Sequence, residues 1–328
     1  MLLFMVFLAG FYLQKETYKI MPYIIETNKL SKSFGQQWAL WGVDLKVEKG
    51  KTTGLVGPNG AGKTTLFSLL CGFLKPSKGS LKILGHEPDS PALRSRISIL
   101  PQDASLLKVL PVGKQLAMLA QLQGFNKKQA KQESLRVLEM VNLASSRNKT
   151  AEQLSHGMFK RIAIAQAFMG SPELILLDEP TAGLDPETTD NIKSVIRTLS
   201  GKTTIIISSH NLEVIEDLCQ QVIILKKGRL HSYDKISDLT ARTQAITFRL
   251  ETDPEESIKD IFADLKIVTK IKLGTKGQHR LVVFFKEEKT QMAEIEILKC
   301  LAQANIPYRE MIRGERLQES VTDKLSQS

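Results

Sequence analysis

Two stretches near the start of the chain, residues 23–30 (YIIETNKL) and 43–50 (VDLKVEKG), alternate apolar and polar positions. Successive side chains of a strand point to opposite faces, so this period predicts half-buried antiparallel strands. Elsewhere the alternation gives way to short unbroken apolar runs, at residues 51–57 (KTTGLVG), 174–178 (LILLD) and 203–209 (TTIIISS). Such runs predict strands buried on both faces of a parallel sheet. Between residues 112 and 170 the apolar positions recur at helical spacing, in KQLAMLAQLQG, KQESLRVLEMV and MFKRIAIAQAF. This predicts a helical insertion within an α/β core. VIILKKGRL adds a strand and a turn, and the core is expected to end between residues 237 and 243.

Beyond that point the texture changes. AITFRLE, IVTKIKL, RLVVFF and IPYREMIR read as strands, whereas EESIKDIFADL and QMAEIEILKCLAQA read as helices. That order resembles a small split β-α-β arrangement. The expected organisation is a core domain over residues 21–239, with a helical subdomain at 103–170, and a small α+β accessory domain over 240–328. The accessory region contains no constellation of residues that suggests chemistry.

Composition adjusts this picture only slightly. Of 328 residues, 42% are hydrophobic and 24% charged, which argues against extensive disorder. Cys71, Cys219 and Cys300 lie far apart with no C-x-x-C spacing, so they read as small apolar groups in a reducing compartment. The net charge of +10 suits an anionic membrane leaflet, nucleic acid or an acidic partner, and equally a solvated surface rich in lysine. Only 6% of residues are aromatic and no basic patch is interleaved with them, so nucleic acid is not expected as a partner. The opening MLLFMVFLAGFYL is shorter than the roughly 20 residues a bilayer-spanning helix needs, and no basic residue precedes it as in a secretory signal. Residues 1–20 are therefore read as an extension upstream of a natural start at Met21, with a membrane-surface anchor as the second reading.

The stretch at residues 55–66, LVGPNGAGKTTL, turns the question from fold to chemistry. Gly57 to Thr64 reads G-x-x-x-x-G-K-T, between a predicted strand and a predicted helix. A loop of this kind turns successive backbone N–H groups inward and forms a concave donor surface for phosphate oxygens. The following helix points the positive end of its dipole at the same anion. Lys63 adds a charge for the β- and γ-phosphates, and the Thr64 hydroxyl can ligate Mg²⁺. In LILLDEP, Asp178 and Glu179 close a buried strand: the first can hold Mg²⁺ and the second can polarise an attacking water.

With LSHGMFKRIAIAQAF, which begins at Leu154, the chain resembles the ATP-binding cassette (ABC) ATPases, whose signature is L-S-G-G-Q followed by a basic-rich helix. Leu154, Ser155 and Gly157 match, and Lys160 and Arg161 follow; His156 replaces the first glycine and Met158 the glutamine. The resemblance, which covers residues 21–239, implies a P-loop NTPase core and assigns further residues. Gln102 in ILPQDASL matches the glutamine loop near the metal, and His210 in IIISSHN the switch histidine. Phe34 in KSFG matches the aromatic that stacks on adenine, and Asp185 in AGLD the loop that crosses the dimer interface. The implied nucleotide site is Phe34 with Gly57, Pro58, Asn59, Gly60, Ala61, Gly62, Lys63, Thr64 and Thr65. Glu179, His210 and Gln102 are the implied catalytic group, and Thr64, Gln102 and Asp178 the implied metal ligands.

In that family Ser155, His156 and Gly157 would serve the ATP held by a facing subunit, so a single cassette implies a homodimer or a heterodimer. ATP and Mg²⁺ are the implied cofactors. An integral membrane permease is the implied partner, gripped by the helical insertion, with export as the direction and the cytoplasmic face of the inner membrane as the place. A soluble cassette ATPase acting on ribosomes or nucleic acid is the alternative, and a non-catalytic regulatory cassette a third. Intact Lys63, Asp178, Glu179 and His210 argue against the last.

Overall fold

The structure is a computed structural model that describes residues 22–241, 244–274, 277, 279–286 and 290–326; the expected extension at 1–20 lies outside them. The first antiparallel sheet is formed by β1 (Tyr23–Phe34), β2 (Gln37–Glu48) and β4 (Lys78–Ile83), in the order β2-β1-β4. Between β2 and β4 the chain enters the core sheet through β3 (Thr52–Val56) and helix α1 (Lys63–Leu70). The core sheet also holds β5 (Ile97–Leu100), β6 (Leu174–Asp178), β7 (Thr204–Ser208), β8 (Gln221–Lys226) and β9 (Arg229–Lys235). Its order is β5-β6-β7-β3-β8-β9, parallel throughout except for β9, which runs antiparallel to β8. Every residue of β3, β6 and β7 is buried, as their unbroken apolar runs require.

Three helices fill the interval between β5 and β6: α2 (Val112–Leu122), α3 (Lys127–Met140) and α4 (His156–Ala167). They share an apolar cluster that includes Leu116, Val137, Leu138 and Ile162, apart from the clusters on either side of the core sheet. After β6 and β7 come α5 (Pro186–Leu199) and α6 (Leu212–Leu218), which pack against one another.

Helix α7 (Ile236–Thr240) leads to a separate antiparallel sheet of β10 (Ala245–Leu250), β11 (Val268–Leu273), β12 (Arg280–Phe285) and β13 (Tyr308–Arg313), in the order β11-β12-β10-β13. Helix α8 (Thr290–Gln303) covers one face, burying Ala293, Ile297 and Leu301 against Phe248, Leu281 and Val283. The stretch predicted as a helix from EESIKDIFADL is a 3₁₀ helix over Glu256–Phe262, which places Ile258 and Phe262 in the same cluster.

The last helix, α9 (Leu317–Ser326), turns back to the core. Leu317 and Val321 join the apolar cluster of Val214, Leu218 and Ile236. The Leu317 amide donates to Glu216 (2.9 Å) and the Ser320 hydroxyl to the carbonyl of Leu239 (2.8 Å). The acidic side of α9 meets the other face of the C-terminal sheet: Arg280, only 3% exposed, lies 2.9 Å from Glu319, 3.4 Å from Asp323 and 3.7 Å from Glu315. Lys272 pairs with Glu315 at 2.9 Å and also with Asp323.

Candidate active site

Adjacent strands of the core sheet deliver the predicted groups to one edge. Along the order β5-β6-β7-β3, the residues just past the strand ends are Gln102, then Asp178 and Glu179, then His210, then the phosphate loop. Ligands of open α/β sheets bind at these carboxyl ends. Here the groups open into one cavity of about 760 Å³. It is lined by Asn59, Gly60, Ala61, Gly62, Lys63, Thr64 and Thr65 on one side, by Gln102, Asp178, Glu179 and His210 on another, and by Phe34 at the far end. Gly57 and Pro58 stand behind this lining, and their carbonyls accept from the Lys63 ammonium at 2.7 and 3.3 Å.

The loop glycines are fixed by close approach as well as by dihedral. A Cβ on Gly57 (φ +155°) would lie 2.3 Å from the carbonyl oxygen of Leu225, and one on Gly62 (φ +102°) 2.7 Å from that of Ala39. Both positions therefore exclude larger residues, and the loop is clamped between β2 and the end of β8.

Asp178, 9% exposed, accepts from the Ser208 hydroxyl of the neighbouring strand. The amide of Glu179 donates to the Ser208 carbonyl and also reaches its hydroxyl, both at 3.1 Å. Glu179 holds a left-handed backbone, φ +48°. A non-glycine residue rarely adopts that conformation, which costs of order 1–3 kcal/mol and concentrates at functional sites. The turn aims the carboxylate along the cavity wall, where Oε2 lies 2.9 Å from His210 Nδ1. His210 itself is 72% exposed, free to turn toward an incoming group.

The signature residues do not line this cavity. Ser155 caps α4, its hydroxyl accepting from the Met158 amide at 3.2 Å. A Cβ on Gly157 would meet the Thr188 hydroxyl at 3.1 Å, and one on Gly183 would lie 3.8 Å from His156 Nε2. The start of α4 thus sits beside the start of α5, where Asp185 caps the helix by accepting from the Thr188 amide and hydroxyl, each at 2.8 Å. Those two bonds hold the Asp185 carboxyl below its ordinary pKa. Sequence reasoning therefore yields two groups of residues: one assembled around the cavity, the other presented on a separate exposed surface.

Gln37, Trp38 and the role of Lys160 escaped that reasoning. Gln37 and Trp38 line the cavity beside Phe34. Phe34 pairs with Gln37 and Ser33 with Trp38 in the β1–β2 ladder, so SFGQQW is a hairpin with a two-residue turn; Gly35 between the two strands was the available signal. Lys160 on α4 is buried, with its ammonium 3.5 Å from the Gln102 carbonyl. Burial lowers its pKa, while Asp103, Asp178 and Glu179 act to raise it. The cysteines behave as apolar fillers: burial pushes the Cys71 thiol up to about 12 and raises that of buried Cys219 as well.

Comparison with known proteins agrees with this geometry. The family described as ABC transporter matches residues 40–182. An uncharacterized ABC transporter ATP-binding protein of Bacillus subtilis (strain 168), YhaQ, is 35% identical over 217 residues, which span 66% of this chain and 72% of that protein. The Nod factor export ATP-binding protein I of Cupriavidus pinatubonensis is 34% identical over 220 residues, 66% of this chain and 67% of its own. Among solved structures, an ATP-binding subunit of an ABC transporter superposes with a TM-score of 0.61 at 26% identity, covering 67% of this chain and 92% of that one.

Proposed function

The chain belongs to the ATP-binding subunits of ABC transporters and is an ATPase, and on that premise we propose that two such subunits close on ATP and drive a separate membrane permease in the direction of export. The observation that carries the shared site is the separation just described. Ser155 and the N-terminus of α4 are exposed and lie off the cavity that holds Lys63, Glu179 and His210, so a facing subunit has donors to offer that this cavity lacks.

Phosphoryl transfer needs positioning and charge compensation more than covalent help. The loop amides and Lys63 would grip the β- and γ-phosphates; exchanging the Gly57 and Pro58 carbonyls for phosphate oxygens gives the lysine a charged partner. Glu179 is placed to orient and deprotonate the attacking water. His210 lies 2.9 Å from that carboxylate and, being mostly exposed, can swing toward the γ-phosphate. The Thr64 hydroxyl, the Gln102 amide and the Asp178 carboxylate are hard oxygen donors around one cavity, a set that fits Mg²⁺. Among the described residues, no group of three or more His, Cys, Asp or Glu side chains could hold a metal alone, as suits a cation that shares its shell with phosphates. When bound, Mg²⁺ would neutralise phosphate charge in the transition state.

The helical insertion offers the docking face for the permease. A groove between α2 and α3 is lined by Leu110, Ala117, Met118 and Leu135 and rimmed by Lys114 and Lys131. Among the described residues no helix is long and apolar enough to cross a membrane; in this reading a separate membrane chain forms the path, and the subunit sits peripherally on the cytoplasmic face of the inner membrane. The export relative supports the direction.

Glu179→Gln tests the shared site. With ATP this variant is expected to elute from a sizing column as a stable dimer, having bound nucleotide without turnover. ATP-saturated variant that stayed monomeric would refute the two-subunit site. Recovery with ribosomes rather than with a polytopic membrane protein would replace the transport reading with the soluble one.

A further inference from the structure

We propose that Trp38 is a second base-binding residue, forming with Phe34 a two-ring seat for the purine of the nucleotide; this assignment rests on the ATP-site reading and deepens it. The cavity has a polar end and an aromatic end. The phosphate loop occupies the first, and Phe34, Gln37 and Trp38 occupy the second. A triphosphate gripped at Lys63 with its base still inside the cavity brings that base to the β1–β2 hairpin.

The spacing between the two ends is fixed by direct contact. The carbonyl of Ala39, the residue after Trp38, is the group that a Cβ on Gly62 would strike at 2.7 Å, so the hairpin strand leans on the phosphate loop itself. Trp38 cannot drift relative to Lys63 without breaking that contact.

The ring is also held in place from behind. Trp41 meets it edge-to-face with centroids 4.4 Å apart, and the Lys78 ammonium lies 5.5 Å from its centroid. Trp41 is in turn braced by Arg229, at 5.9 Å from its centroid, and its amide donates to the Gly228 carbonyl at 2.8 Å. Neither Trp41 nor Lys78 lines the cavity. Trp38 is half-buried among these supports, whereas Phe34 is 53% exposed at the rim. A large ring already restrained loses little freedom on stacking, so of the two it is the better anchor. Stacking reads a π-face rather than a hydrogen-bonding edge, and so it accepts adenine and guanine alike. The neighbouring Gln37 amide carries both a donor and an acceptor and can turn either toward the base edge.

The two tryptophans of the chain are Trp38 and Trp41, which makes the test direct. Trp38→Ala is expected to weaken MgATP and MgGTP binding by about tenfold each, while leaving inorganic tripolyphosphate binding unchanged. Trp38→Phe is expected to recover most of the loss. In Trp41→Phe protein, emission from the remaining Trp38 should be quenched as MgATP is added and should respond far less to tripolyphosphate. MgATP affinity in Trp38→Ala equal to that of the parent chain would overturn the proposal, as would Trp38 emission indifferent to MgATP. The fluorescence arm decides the matter even if Trp38→Ala fails to fold. A parent chain that bound no MgATP at all would overturn both this assignment and the ATP-site reading beneath it.

Discussion

The nucleotide cavity and the contact between α9 and the C-terminal sheet both gather charged side chains, yet they handle the charge in opposite ways. In the cavity, Lys63 leans on two backbone carbonyls and Glu179 faces a histidine that is mostly in solvent. Lys63 can trade its carbonyls for phosphate oxygens, and the largely buried Glu179 can trade the histidine for a water. Beneath α9, Arg280 is enclosed by Glu315, Glu319 and Asp323, and Lys272 shares two of these carboxylates. There the charges are matched within the chain. Buried ion pairs of this kind add less stability than their contacts suggest, but they penalise any arrangement that separates the partners. One region is arranged to receive a ligand, the other to hold a helix in one position.

The contrast makes Lys63→Ala the most damaging change for binding. It should remove about 3 kcal/mol of MgATP affinity, roughly two decades, by isothermal titration. The melting temperature should barely move, because Lys63 meets only the loop's own carbonyls. Arg280→Met should do the reverse. Removing the guanidinium would leave Lys272 and Arg249 alone to answer the three carboxylates and should cost about 3 kcal/mol in denaturant unfolding, with MgATP affinity kept. Loss of affinity in the second variant, or loss of stability in the first, would break the division between the regions.

Acid offers a gentler probe. Burial alone would raise the Asp323 carboxyl, but hydrogen bonding and charge from Lys272, with Arg280 beside it, hold it below its ordinary 3.8. The unfolded chain therefore binds the proton more readily, and stability rises with pH across that window. The contribution is complete above 3.8 and fades as pH falls through the lowered value. Hydrogen-exchange protection at α9, taken relative to the intrinsic rate at each pH, should fall there in the parent chain. In Asp323→Asn the same region should start weaker and respond less to acid.

The parts of the fold legible in the sequence were those whose burial is uniform. β6 and β7 lie wholly inside, so LILLD and TIIIS announce themselves. The phosphate loop was equally plain, because Gly57 and Gly62 answer to backbone contacts that no other residue satisfies. β4 and β5 escaped notice: KGSLKI buries only two residues and ISIL only one, so neither shows a clean period. Trp38 escaped for another reason. Its place in the cavity depends on hairpin register and on a lean against Gly62, neither of which is visible in the order of residues. The place of the tail was not legible either, since the apolar stripe of α9 finds its match about a hundred residues upstream, at Val214 and Leu218.

That return of the tail alters how the molecule can be divided. Leu317 and Val321 plug the surface formed by Val214, Leu218 and Ile236, immediately after the segment that carries His210. The final ten residues of the fold are thus a keystone laid across a seam. A cassette trimmed at residue 241 would lose its lid along with its appendage, baring a greasy scar on the shoulder of its own switch.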